Sequence, residues 1–337
     1  MLSGHGDDIQ NYDEVKINFS SNIYGGFSHE GLFRYLKDRL SEVVHYPEPE
    51  PLSLETELAK DLRIDSDEVM VTNGATEAIY LIAQTFSGAV SAILQPTFSE
   101  YADACRIHKH TVRNIYSLPS SFRNVQVVWL CNPNNPTGMV TDKKQLMQLI
   151  EANPETVFVL DASYTPFTLR LLPSAAELVE HANVLMLHSM TKQFSIPGLR
   201  LGYVSANRSL LQRIRLQRMP WSVNQLALDA GHYLLSHQDD YLLDIGQLMA
   251  ERERMTQELG KLGVIDVWQS DSHMILCRLR IGNASALKEF LMQDYGILIR
   301  DASNFNGLDK GCFRISVQSP EEDDELLKAI TEWICLV

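Results

Sequence analysis

The chain has no apolar run near the roughly 20 residues that a membrane-spanning helix requires, and no basic-then-apolar segment at its start. Cysteine is sparse and unpaired: Cys105, Cys131, Cys277, Cys312 and Cys335 stand singly, with no Cys-x-x-Cys and no His/Cys cluster. That spacing argues against a metal site and a disulfide framework, and leaves reduced, mostly buried thiols. Positive charge is also scarce, with 29 Lys and Arg against 43 Asp and Glu and a formal net charge of −14. A broad nucleic-acid surface is therefore not expected. A small basic pocket within an acidic exterior would instead suit an anionic small molecule. Neither internal repeats nor low-complexity tracts occur. Together these absences predict a soluble, cytoplasmic protein with no metal, no nucleic-acid partner and no membrane contact.

What is present is a chain of 337 residues with 45% apolar content, enough for a large core and two domains. Residues 30–44 carry Leu32, Phe33, Leu36, Leu40, Val43 and Val44 at helical spacing. Tyr46-Pro47-Glu48-Pro49-Glu50-Pro51 ends that pattern, because closely spaced prolines favour an extended loop. After a second helix over 53–62, short apolar runs alternate with amphipathic stretches. Strands are predicted over 68–71, 92–94, 125–130, 157–160, 184–187 and 202–204. Helical crossovers between them imply an α/β fold with a mainly parallel sheet covered on both faces. Beyond Pro220 long helices over 222–236 and 240–261, then strands near 274–279, 297–300 and 313–317, predict a smaller α+β domain. The expected division is 1–44 as N-terminal arm and part of the small domain, 45–225 as the large domain and 226–337 as the small domain.

Ligands of such sheets gather beyond the carboxyl ends of the strands, and the chemically suggestive residues fall there. Ser189-Met190-Thr191-Lys192 follows one strand, with Arg200 eight residues on. Lysine forms Schiff bases with carbonyl compounds, and arginine is suited to bidentate phosphate contacts. Asn73-Gly74-Ala75-Thr76 opens a helix whose first amides form an anion site. Asn132-Pro133-Asn134-Asn135-Pro136-Thr137-Gly138 is a turn by composition, yet its prolines would hold the Asn135 amide rigidly. Asp161 closes a strand, with Tyr164 three residues later. A buried carboxylate there needs a cationic partner, and a protonated pyridine nitrogen would supply one.

Taken in order and at these intervals, the motifs resemble the fold-type I pyridoxal-phosphate enzymes of the aspartate aminotransferase superfamily. The resemblance implies a large domain that binds pyridoxal 5'-phosphate, with Lys192 as its covalent anchor and proton shuttle. Asp161 would pair with the ring nitrogen, Asn135 and Tyr164 would address the 3-oxygen, and Phe98 would stack on the ring. Gly74, Ala75, Ser189, Thr191 and Arg200 would hold the phosphate. Tyr46 resembles the tyrosine that reaches the neighbouring subunit's cofactor, implying a homodimer with shared sites.

Within the superfamily, Tyr46-Pro47-Glu48-Pro49 resembles the branch of histidinol-phosphate aminotransferases and threonine-phosphate decarboxylases. The segments 217–224 and 298–308 are similar to the decarboxylases, as is Gly4-His5-Gly6 ahead of residues 17–23. Asp7-Asp8 replaces a paired-glycine turn there, and Ser272-His273 replaces the usual Asn-Tyr pair. The branch implies a phosphorylated amino-acid or amine substrate, held by Arg314 and Arg300 with His5 and Asn22 as helpers. If the substrate carboxylate stands perpendicular to the cofactor ring, carbon dioxide leaves; if the hydrogen does, Lys192 removes it and amine transfer follows. The expected activity is decarboxylation of L-threonine O-3-phosphate, with a histidinol-phosphate-type aminotransferase as the alternative. A non-catalytic binding module of the same fold is disfavoured by the complete set of Lys192, Asp161 and Arg200.

Overall fold

Short runs of Val, Ile, Leu and Met without polar alternation should be buried on both faces, and the computed structural model, which describes residues 7–337, places them so. The strands in chain order are β1 (Ile17–Asn18), β2 (Val69–Thr72), β3 (Val90–Leu94), β4 (Thr111–Ile115), β5 (Val127–Cys131), β6 (Val157–Asp161), β7 (Val184–Ser189) and β8 (Gly202–Ala206). They are followed by β9 (Ile265–Val267), β10 (Met274–Leu279), β11 (Ile297–Leu298), β12 (Arg300–Asp301) and β13 (Cys312–Ser316). Every residue of β2, β5 and β8 is buried.

The seven-stranded sheet has the order β2-β8-β7-β6-β5-β3-β4. The strands from β7 to β4 run parallel, and β8 is antiparallel to both β7 and β2. One face packs on Ala78, Ile79 and Ile82 of the helix Gly74–Thr85 and on Leu210, Leu211 and Ile214. The other packs on Leu146, Leu149, Ile150 and Leu178. The helix Leu52–Leu62 and the helix Gln225–Ser236 share a further core built on Leu54, Leu58, Ala227 and Leu228. A four-stranded antiparallel sheet, β12-β13-β10-β9, lies in the C-terminal part, and β1 pairs in parallel with β11 beside it.

This topology gathers the motif loops. Because β2, β3, β5, β6 and β7 point the same way, their carboxyl ends share one edge. Gly74, Phe98, Asn135, Tyr164 and Lys192 all follow those ends. Reversed β8 puts its start, and hence Arg200, on the same edge. Gly202 sits there opposite Thr72 and Ser189. A Cβ at Gly202 would come within 2.7 Å of both the Ala75 amide nitrogen and the His188 carbonyl oxygen.

Two expectations need correction. Residues 30–44 are not one helix: an α-helix covers Glu30–Asp38, and a tight 3-10 segment covers Leu40–Val44. Leu32 is buried and half-buried Leu36 packs on the same core, whereas Phe33, Leu40, Val43 and Val44 are exposed, so only the Leu32 and Leu36 part of the apolar spacing turns into this chain's own core. The edge strand β4 went unpredicted, because Thr111, Arg113 and Asn114 are exposed and give it no apolar run. Short β9 was also missed, and the stretch near 297–300 divides between β11 and β12, which pair with different strands.

Gly202→Ala is expected to lower stability by about 1–3 kcal/mol, since the added methyl meets backbone rather than a side chain that can turn aside. A urea titration reads this directly, and an unchanged midpoint would show that β8 can shift away from Ala75.

Candidate active site

A cavity of about 680 Å³ opens at the shared edge, lined by Asn22, Ala75, Phe98, Asn135, Asp161, Tyr164, Ser189, Thr191, Lys192, Arg200 and Arg314. The structure therefore brings together nearly all the residues singled out from sequence. Gly74 stands just behind its wall at φ +74, and a Cβ there would come within 2.6 Å of the Arg200 guanidinium. Arg300 lines an adjoining cavity of about 230 Å³, which shares Phe98, Asn135 and Arg314 with the first. Tyr46 is not brought in: it is 85% exposed and packs against Trp221, ring centroids 5.5 Å apart. His5 lies outside the described residues.

One end of the site offers donors suited to an anion. The helix Gly74–Thr85 presents its first amides, and the Ser189 and Thr191 hydroxyls meet at 2.7 Å. The Arg200 backbone is left-handed, at φ 56, and its Nη1 donates to the Pro197 carbonyl oxygen at 3.1 Å. At the centre, Asp161 ends β6 and is nearly buried. The Tyr101 hydroxyl donates to its Oδ2 at 2.6 Å, and the Ser163 amide and hydroxyl donate to its Oδ1 at 2.9 and 2.5 Å. Tyr101 itself stacks on Trp129 and meets Phe98 edge-on.

Opposite Asp161, the Tyr164 oxygen receives the side-chain amides of Asn22 at 3.1 Å and Asn135 at 3.5 Å. Burial pushes the phenol pKa up against the pull of Arg314, so it stays protonated and its hydrogen is left to donate into the cavity. The Asn135 Oδ1 accepts from Arg314 Nη1 at 2.5 Å, and Asn22 Oδ1 accepts from the Ser316 hydroxyl at 2.7 Å. Both amides are thereby oriented with nitrogen toward Tyr164. His273 stands behind Tyr164, stacked on Phe167 with ring centroids 4.1 Å apart, and burial pushes its pKa down to about 3. It serves as a neutral aromatic wall.

The electrostatics are unbalanced. Lys192 Nζ donates to the Ser21 carbonyl at 2.7 Å, and Arg314 Nη2 donates to the Ser20 carbonyl. Among the described residues neither has a carboxylate within 4.0 Å, and Arg200 has none either. Burial, and then the neighbouring Arg314 charge, pulls Lys192 down to about 8, while burial brings Arg314 to about 9. The donors to the Asp161 carboxylate among the described residues are neutral. Residues whose roles sequence reasoning missed include Ser20, Ser21, Tyr101 and Ser163. The serines at 20 and 21 act here through main-chain carbonyls, which no side-chain pattern announces. Tyr101 did carry a signal, three residues beyond Phe98 in the same segment.

Comparison with known proteins gives a consistent picture. The family described as aminotransferase class I and II matches residues 14–330. A threonine-phosphate decarboxylase from Salmonella typhimurium is 29% identical, over 93% of this chain and 90% of its own length. A histidinol-phosphate aminotransferase from Thermoanaerobacter sp. is 30% identical, over 87% of this chain and 85% of its own. Among solved structures, L-threonine-O-3-phosphate decarboxylase from Porphyromonas gingivalis superposes with a TM-score of 0.91 at 36% identity, covering 94% of this chain and 99% of that one.

Pyridoxal 5'-phosphate fits the unbalanced charges. Arg200 and the helix amides would suit its phosphate, Asp161 its ring nitrogen, and Tyr164 and Asn135 its 3-oxygen. Two outcomes follow. The apo-protein should capture pyridoxal phosphate faster as pH rises to about 8 and then level off, because a lowered lysine pKa leaves the neutral, nucleophilic amine above that value. Absorbance of the covalent adduct measures this, and a rise continuing toward the ordinary lysine value of 10.5 would contradict the lowered pKa. Gly74→Ala should weaken cofactor affinity by about tenfold or more, since it adds both left-handed strain and a contact with Arg200. Equilibrium titration of the apo-variant checks it.

Proposed function

Because the chain belongs to the class I and II aminotransferase family, whose cofactor is pyridoxal phosphate, its reaction is one of those open to an amine-bearing substrate, and we propose decarboxylation of L-threonine O-3-phosphate to (R)-1-amino-2-propanol phosphate. The observation that carries this reading is the pairing of Arg300 and Arg314. They stand directly opposite one another across β12 and β13, both buried. Arg300 Nη2 donates to Asn304 Oδ1 at 2.8 Å, and two cationic side chains set opposite one another at the site suit a substrate that carries two anions. Arg314 lines both cavities and Arg300 the smaller one. A substrate carrying a carboxylate and a phosphate offers an anion to each, whereas histidinol phosphate has only its phosphate. The similarity to the Porphyromonas decarboxylase supports the same choice.

The bound cofactor supplies a ring that accepts electrons from the substrate's Cα. This chain's residues do the rest. Asp161, held by Tyr101 and Ser163, keeps the ring nitrogen protonated. Tyr164 and Asn135 fix the ring through its 3-oxygen, and Phe98 covers its face. Arg314 holds the substrate carboxylate, and Arg300 its phosphate. Once carbon dioxide has left, Lys192 Nζ delivers the proton that takes its place at Cα. Positioning of this kind contributes much of the selectivity between breaking one bond and another.

We also propose a homodimer. Val43, Val44, Tyr46 and Leu52 are exposed, as are Leu216, Met219 and Trp221. The Trp221 amide bonds to the Pro49 carbonyl, which joins the two segments into one apolar face suited to a second copy. Tyr46 on that face would then reach the partner's site.

The decisive experiment incubates the holoenzyme with L-threonine O-3-phosphate and measures carbon dioxide together with the amine product. Stoichiometric release is expected without any added keto acid. Amine transfer to a keto acid with no carbon dioxide would overturn the reading in favour of the aminotransferase. Arg314→Gln should raise KM on the order of 100-fold, the usual scale for losing one side of a buried charged contact.

A further inference from the structure

The N-terminal segment crosses the small-domain side of the site almost without apolar anchorage. None of the residues 7–16 is buried, and Ile9 is 49% exposed. Behind the segment, a groove of about 600 Å³ separates Tyr12, Asp13 and Glu14 from Ser285, Glu289 and Met292. With so little packing, the placement of this stretch depends on its polar ties.

Its tie to the helix Ala284–Phe290 is Lys288, whose Nζ lies 2.8 and 2.7 Å from the two Asp8 carboxylate oxygens. The Tyr12 ring centroid is 5.7 Å from the same ammonium. The two side chains are only 14% and 21% exposed, so water screens this pair less than an open surface one. One residue earlier, Asp7 lines the main cavity with a left-handed backbone at φ 62. Its amide donates to Ser20 Oγ at 3.0 Å, and its carboxylate accepts from Asn18 Nδ2 at 2.6 Å. Ser20 and Ser21 in turn receive Arg314 and Lys192 through their carbonyls. A continuous set of contacts thus runs from Lys288 through Asp8 and Asp7 to the wall of the site.

We propose that Asp8 and Lys288 form a positioning latch. The pair fixes Asp7 and the Ser20–Asn22 wall over the substrate half of the cavity, and its loss loosens substrate binding while the cofactor half stays intact. Neither residue touches the reacting atoms. The inference rests on this cavity being the reaction site, as proposed above, and not on which reaction runs there.

The test compares the holoenzyme with Lys288→Met, Asp8→Asn, the double variant and Lys288→Arg. Each single loss is expected to raise KM for O-phospho-L-threonine about fivefold, with kcat held within about twofold, the scale of one partly shielded ion pair. The double variant should be no worse than either single one, and Lys288→Arg should restore the wild-type KM. Amide hydrogen exchange over residues 7–16, measured without substrate, should quicken in the three variants that lose the pair and not in Lys288→Arg. Unchanged exchange, additive KM effects, or a fall in kcat at constant KM would each overturn the latch. Should wild-type protein not turn over this substrate, the exchange measurement still decides on the latch, and the failure belongs to the proposed reaction.

Discussion

Charge burial without internal counter-charge is the constraint on which the site depends. A buried ammonium or guanidinium is costly unless paired, and so is a buried carboxylate. Buried Arg314 and half-buried Lys192 share one cavity with the more exposed Arg200 at its rim. Among the described residues none of the three has a carboxylate at ion-pair distance, in a chain whose net charge is −14. Asp7 and Asp161 line the same cavity, yet neither comes within ion-pair distance of the three cations. Asp161 shows the converse, a carboxylate held by hydroxyls and an amide, with no cation at ion-pair distance among the described residues. Such a site is completed by a ligand with a phosphate at one end and a basic ring nitrogen at its centre. That pairing of a phosphate-suited end with a central carboxylate agrees with the pyridoxal phosphate that the family uses.

The sheet explains why these groups can converge at all. Parallel strands aim every following loop at one edge, and the reversal of β8 is what brings Arg200 to that edge from the other direction. Close approach then sets local requirements. Gly74 has to be glycine because Arg200 passes where a side chain would be, and Gly202 because Ala75 and His188 close on it from either side. Orientation is likewise shared out: Arg314 turns Asn135, Ser316 turns Asn22, and both amides then converge on one phenol oxygen.

Much of this was legible in the sequence because its signals are local. Lys192, Asp161, Asn135 and Gly74 each sit beside a recognisable apolar strand, and strand ends are where ligands of such sheets bind. Features created by long-range pairing left weaker traces. Main-chain carbonyls of Ser20 and Ser21 have no residue-type signature. The edge strand β4 presents polar residues to solvent and so lacks the apolar run that betrays its neighbours. Phe33, Leu40, Val43 and Val44 extend the spacing of Leu32 and Leu36 without sharing their core, and only the fold shows that these four face outward. Arg300 and Arg314 read from sequence as separate candidates, and their opposition across β12 and β13 becomes visible once register is known.

That opposition also bears on how one cofactor site is directed to one reaction. The residues that hold the ring would serve amine transfer as well as decarboxylation, so selection has to come from the groups that orient the substrate around Cα. In the proposed reading, two arginines on neighbouring strands would hold two anions of one substrate, and a substrate held at both points would lose freedom to rotate about the bond between Cα and its amine nitrogen. With one anion, that rotation stays open and either bond can come perpendicular to the ring. On that reading, the cofactor is set by the edge of the large sheet, at Lys192 and Asp161, and the reaction by the four-stranded sheet that carries Arg300 and Arg314. The separate β1–β11 pair docks the chain just before Ser20 and Ser21 beside it.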